Sequence, residues 1–146
     1  MKNFIDITHK NLAVKLAETR EEIEKARVLR FDELINKSNP NIPYSQCFDD
    51  SDFIYDHLIV IDRDNGSVVG TYRLGRREQL EKIGDFYTNV KFNVDSLMAA
   101  EGEVLELSRM AIRESYRDGS VIKLLWKGLF AYCAVSYTHL TLPTKA

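Results

Sequence analysis

The stretch Glu103 to Leu129, EVLELSRMAIRESYRDGSVIKLLWKGL, decides how this chain is read. Val104, Leu105, Leu107, Met110, Ala111 and Ile112 make an apolar, strand-like run, and from Val121 the apolar residues recur at helical spacing. Between them lies a glycine-bearing loop. That order brings the N-terminus of the helix, with its unpaired N–H groups, beside the end of the strand, a natural place for an anion. Two residues are out of character there. Glu106 and Arg109 stand inside the apolar run, where a lone charge is costly, so they must be paired, solvated by a cleft, or functional. Three positions apart they point to opposite faces of a regular strand, and only a bulge or kink between them turns both to one side. Spacing alone leaves a structural ion pair and a functional pair equally open.

The whole chain sets the frame. Its 146 residues suit one domain with a sizeable core. Hydrophobic residues at 45% and charged residues at 29% are globular values, and a net charge of -2 gives no overall basic field for nucleic acid. Cys47 and Cys133 lack the spacing of a zinc site or a disulfide framework, which suits a reducing cytoplasm and no metal. No apolar run reaches the roughly 18 residues of a membrane span, so the protein is expected to be soluble or peripheral.

Upstream, Leu12, Val14 and Leu16 share one face of a short strand, and Thr19-Arg-Glu-Glu22 matches a capping box that starts a helix. Ile23, Ala26, Leu29, Leu34 and Ile35 give that helix its apolar stripe, and it stops near Asn36, ahead of Pro40 and Pro43. Asp49, Asp50, Asp52 and Asp56 suit a cation or an amine, or plain solvation. His57 opens a strand that runs to Asp62, and a lone histidine in such a place is as a rule structural. Asn65-Gly66 joins that strand as a hairpin to Ser67 to Leu74, where Arg73 is a rim charge or a cleft cation. A calcium loop at Asp62 would need further oxygen ligands that do not follow. Gln79 to Leu97 reads as an irregular connection anchored by Phe86, Tyr87 and Phe92. In the last helix Trp126 counts as core, while Lys123 and Lys127 lie on an outer face. The order is that of a mixed α/β (α+β) domain, its helices covering a central sheet.

Several blocks, YDHLIVID, VVGTYRL, FYTNVKF, VLELSRMAI and YRDGSVIKLLWKGLFAY, occur in an order and spacing that closely resemble one group of GNAT-superfamily N-acyltransferases. These are the hemolysin-like enzymes that make ornithine lipids and related aminolipids, and the resemblance runs from about Leu12 to Ala134. Acyl-homoserine-lactone synthases share a broader pattern of Arg30, Asp50, Asp56, Arg73, Phe86, Glu106 and Arg109, and are the nearest alternative.

The resemblance implies a GNAT-like mixed sheet flanked by helices. It also implies transfer of a fatty acyl group from the phosphopantetheine thioester of an acyl carrier protein, or from acyl-CoA, to the amino group of an amino acid such as ornithine. Backbone near Met110, Ala111 and Ile112 would bind the thioester arm, and Arg117, Asp118, Gly119, Ser120 and Val121 would meet its phosphate. Val121 or Ile122 stands where the superfamily loop has a second glycine, a departure that suits a carrier-protein donor more than tight coenzyme A binding. Glu106 would take the amine proton and Arg109 would position it or the substrate carboxylate. Arg30 and Arg73 are further candidates for that carboxylate, and Asp50, Asp56 and His57 for the amine end. A peripheral contact with the inner face of a membrane is expected only from the lipid nature of the product.

Residues 135–146, VSYTHLTLPTKA, resemble translated sequencing-adapter sequence. The expectation is therefore a GNAT-like domain over residues 1–134, C-terminally incomplete and lacking the other wall of the thioester cleft, followed by a non-native tail. On that expectation the chain itself is an inactive fragment of an enzyme, or a non-catalytic acyl-carrier-binding module.

Overall fold

The computed structural model describes residues 5–48, 50–83 and 105–136. Within them, β1 (Ile7–His9), β2 (Leu12–Leu16), β3 (Asp56–Asp62), β4 (Ser67–Arg76) and β5 (Leu105–Ile112) form an antiparallel sheet in the order β1-β2-β3-β4-β5. Helix α1 (Arg20–Arg30) continues as a wider π-turn, Phe31–Asn36. A short α2 (Arg77–Ile83) follows β4, and α3 (Ser120–Ser136) closes the described chain. This is the mixed α/β architecture expected from the order of elements.

Alternation along the strands explains how both faces are covered. Leu12, Val14, Leu16, Leu58 and Val60 pack with Val121, Leu124, Leu125 and Tyr132 of α3. Ile59, one position out of phase, joins Ala26 and Leu29 of α1 with Val68 and Ala111 on the opposite face. A strand buried on both sides reads as a continuous apolar run, which is why LIVI in β3 shows no alternation. Gly70 sets the approach of α3: a Cβ there would stand 2.4 Å from Val121 Cγ1, so only glycine lets the helix come this close.

The local signals produce the elements they predict. Thr19 Oγ1 accepts from Glu22 N at 3.1 Å and Glu22 Oε1 accepts from Thr19 N at 3.3 Å, the reciprocal bonds of the capping box. Lys15 Nζ, 2.9 Å from Glu22 Oε2, ties the helix start to β2. In the β3–β4 turn Asp62 is fully engaged: its carboxylate accepts from Asn11 Nδ2 at 2.8 Å, Tyr116 O–H at 2.7 Å and Asp64 N at 3.0 Å. Those bonds make it a structural clamp.

Three expectations need correction. Trp126 is 51% exposed, and Phe130 is 72% exposed beside it. The buried arc of α3 runs through Val121, Leu124, Leu125, Gly128 and Tyr132, and Trp126 lies about 100° past Leu125, off that arc. Leu34 is 43% exposed because the helix leaves α geometry after Arg30, so a stripe counted at the α period drifts out of the core. The segment from Gln79 begins inside α2 and not as irregular chain. Phe86, Tyr87, Phe92 and the FYTNVKF block lie outside the described residues, as do Asp49 and residues 137–146. Helix α3 runs to Ser136, two residues past the boundary expected at Ala134.

Candidate active site

The register of the sheet builds one wall. His57 pairs with Arg73 and Arg73 with Ser108, so three neighbouring strands place these side chains on one rung, on the face covered by α1. Arg73 Nε donates to Ser108 Oγ at 3.0 Å across that rung. Between Thr71–Ala111 and Arg73–Ser108 the β5 strand carries an extra residue, the bulge that the Glu106–Arg109 spacing calls for. Arg109 sits in it at φ 52, left-handed for a non-glycine residue.

The other wall comes from α1 and the turn Asp50–Phe53. Asp52, with a side chain 3% exposed, is the hub. Its Oδ2 accepts from Arg30 Nη2 at 2.6 Å and Arg27 Nε at 3.0 Å, and its Oδ1 from Arg73 Nη1 at 3.3 Å. Aromatic rings back the guanidiniums: the Arg73 Cζ lies 3.9 Å from the Tyr55 ring centre, Arg27 4.6 Å from Phe53 and Arg30 5.2 Å from Phe48. Burial pushes the Asp52 carboxyl up, but the pull of Arg30, joined by Arg27, outweighs it and holds the group below its ordinary value. Burial lowers the Arg30 pKa, with Arg73 and Arg109 adding to the effect against Asp52.

His57 completes the hub from below. The peptide oxygen of Asp52 lies 2.6 Å from its Nε2, and a carbonyl can only accept, so Nε2 carries the proton. Nδ1 is buried with no hydrogen-bond partner among the described residues. Burial, aided by Arg30 and Arg73, lowers the His57 pKa to about 4, so the ring is neutral at pH 7 and a weak base. Burial also raises the Tyr55 phenol, on which Arg73, Glu106, Asp52 and Arg109 all act electrostatically. Of these four charged groups, Arg73 lies directly over the ring.

A cavity of about 200 Å³ opens beside them, lined by Gln46, Cys47, Phe48, Ser51, Asp52, Arg73 and Arg109. It is smaller than drug-sized sites of roughly 300–1,000 Å³, a scale that suits an amino acid. Glu106 is 4% exposed on the same strand face as Ser108.

The structure thus gathers Arg30, His57, Arg73, Glu106 and Arg109. It does not gather Asp50, which lies exposed at the start of its turn, or Asp56. Asp56 faces the other way, accepting from Tyr132 O–H at 2.6 Å with Arg76 Nε 3.7 Å away. Sequence reasoning passed over Asp52 as hub, and over Arg27 and Tyr55. One signal was present: Arg27 and Arg30 share a helix face with Ala26 and Leu29, and cations on a buried face demand an anion.

The proposed donor segment lies further along β5. Met110 is 37% exposed, Ala111 is buried and Ile112 is half-buried. In the loop, Gly119 has φ 99, and Asp118 Oδ1 accepts from Ser120 N at 3.0 Å. Val121 is buried in the α3 core, and Arg117 donates from Nε to the Ile112 carbonyl at 3.0 Å and from Nη2 to Glu33 at 2.6 Å.

Residues 27–127 match the family model described as acetyltransferase (GNAT) domain. The chain is 36% identical over 135 residues to an L-ornithine N(alpha)-acyltransferase of Brucella abortus (strain 2308), an alignment covering 84% of this chain and 48% of that protein. Another of that name, from Rhodobacter capsulatus, is 31% identical over 82% of this chain and 50% of its own length. A third, from Rhizobium meliloti, is 30% identical over 84% and 45%. The chain spans about half the length of these curated relatives. No solved structure matches it.

Proposed function

Because this chain belongs to the GNAT acetyltransferase family, we propose that the whole protein is an N-acyltransferase that moves a fatty acyl group from a thioester to the α-amino group of ornithine. The observation that carries this reading is the cavity where Arg73 and Arg109 face Asp52, on the same sheet face as buried Glu106. The names of the relatives supply the acceptor.

Arg109, with Arg73 behind it, pairs the carboxylate of the incoming amino acid, the fork of a guanidinium matching two oxygens. Asp52 is already held by three guanidiniums, so its task is to fix them, not to receive the amine. The amine nitrogen attacks the thioester carbonyl carbon. A C–N bond forms, the C–S bond breaks, and the sulfur leaves as thiolate and takes a proton. Glu106, directly or through one water, accepts the proton that the amine gives up. His57 does not share that role: its Nε2–H donates to the Asp52 carbonyl and its ring does not line the cavity.

The donor is the phosphopantetheine thioester of an acyl carrier protein, or acyl-CoA, laid along Met110, Ala111 and Ile112 with its phosphate toward residues 117–121. No described helix is long and apolar enough to cross a membrane. Contact with the inner face of a membrane would follow only from the amphiphilic product.

The test is an assay of the whole protein with acyl carrier protein and coenzyme A donors against a panel of amino acids. Ornithine amide is the expected product, and no amide from any pairing would sink the reading. Glu106→Gln should lower kcat by roughly 10²–10⁴-fold; full activity in that variant would remove Glu106 as base.

A further inference from the structure

Three cations converge on a carboxylate that the chemistry above does not use. Glu33 lies in the π-turn that continues α1, its side chain 4% exposed. Its Oε1 accepts from Arg117 Nη2 at 2.6 Å and from Lys37 Nζ at 2.9 Å, while Arg113 Nη1 lies 3.6 Å from Oε2. Neighbouring bonds run the same way. Arg113 Nη1 donates to Asp32 at 2.9 Å, and Lys37 Nζ to Glu114 at 2.9 Å. The segment leaving β5 is therefore fastened at 113, 114 and 117 to residues 32, 33 and 37.

Backbone bonds make the fastening stiff. Arg113 N donates to the Val69 carbonyl at 2.8 Å, extending the ladder past β5, and Arg117 Nε holds the Ile112 carbonyl. Beyond these knots come Gly119 and the first turn of α3, whose N–H groups take their positions from the loop before them. A π-turn gives up good α-helical bonds and recurs at functional sites. Here the widened turn carries the carboxylate that grips the loop.

We propose that Glu33 is a positioning residue for the acyl donor: through Arg117 and Arg113 it fixes loop 113–119, and so the start of α3, without touching the donor. The proposal rests on the reading that this loop and helix start receive the donor phosphate. Arg117 then acts as the strap and not as a phosphate ligand.

Charge and geometry predict opposite signs, which makes the proposal testable. Removing the Glu33 charge leaves the region more positive, and electrostatics alone would tighten an anionic donor. Loss of the strap would weaken it. With acyl phosphopantetheine as donor probe and the whole protein, Glu33→Gln should raise donor KM about five- to tenfold, the size of one well-held ion pair, and leave amino acid KM within about twofold. Arg117→Gln, at a side chain 49% exposed and so tolerant of change, should do the same. Both variants cut the Glu33–Arg117 tie, so their effects should combine to less than the product of the singles in the double variant. An unchanged or lower donor KM, or effects that multiply in the double variant, would overturn the proposal. Gly119→Val separates it from its premise. If donor KM ignores that change, the helix start does not receive the donor; if it rises there but not in Glu33→Gln, only the positioning role falls.

Discussion

A carboxylate with 3% side-chain exposure persists as an anion only where nearby cations outweigh its desolvation, and at Asp52 three guanidiniums do so. Arg30 depends on the pair in turn: its Nε and Nη1 have no hydrogen-bond partner among the described residues, leaving Nη2 to Asp52 as its anchor. Asp52→Ala should therefore cost roughly 3–5 kcal/mol, because it strands buried positive charge, whereas Asp50→Ala at an exposed position should stay within about 0.5 kcal/mol. Urea unfolding of the two variants checks the contrast. Four acidic residues in one short run look alike in sequence, and what singles out Asp52 is its reach to α1 and β4. Such long-range geometry has no local signal. Glu106 and Arg109 were legible for the opposite reason, being charges inside an apolar strand.

At the scale of elements, two devices shape the site: the bulge in β5 and the close seat of α3 on β4. Arg109 occupies the bulge at φ 52, a conformation that costs a side chain about 1–2 kcal/mol and glycine almost nothing. Arg109→Ala and Arg109→Gly both remove the guanidinium, so their difference reports the strain less the extra chain entropy that glycine loses on folding. The glycine variant should be the more stable by about 1 kcal/mol in urea, and equal stabilities would mean the strain no more than matches that entropy. Gly70→Ala should cost about 1–3 kcal/mol, since its Cβ would meet Val121 Cγ1 at 2.4 Å and α3 would have to move. Capping box, hairpin and bulge were readable because each rests on residues within a few positions of one another. Leu34 and Trp126 were misplaced because a helical period says which residues share a face, not which arc a sheet covers or where α geometry gives way to a π-turn.

At the scale of the molecule, the packing of α1 over the His57–Arg73–Ser108 rung makes stability depend on pH. His57 titrates at about 4 when folded, against an ordinary value of 6.5, because burial and the guanidiniums of Arg30 and Arg73 oppose its charging more than Asp52 favours it. Above pH 6.5 the ring is neutral in both states and the fold has its full stability. As pH falls from 6.5 toward 4 the unfolded chain takes up a proton that the folded chain refuses, so stability declines, by about 3 kcal/mol over the whole window. Asp52 continues the trend at lower pH, its lowered pKa giving stability that is lost as acid protonates it below its ordinary 3.8. Urea midpoints measured from pH 7.5 down to 4.5 should therefore hold to about pH 6.5 and then fall in the parent chain. The same series on His57→Asn should be flatter by the uptake of one proton, because asparagine can still donate to the Asp52 carbonyl but has nothing to titrate. Equal slopes in the two proteins would assign the pH dependence to other groups and leave His57 as packing alone.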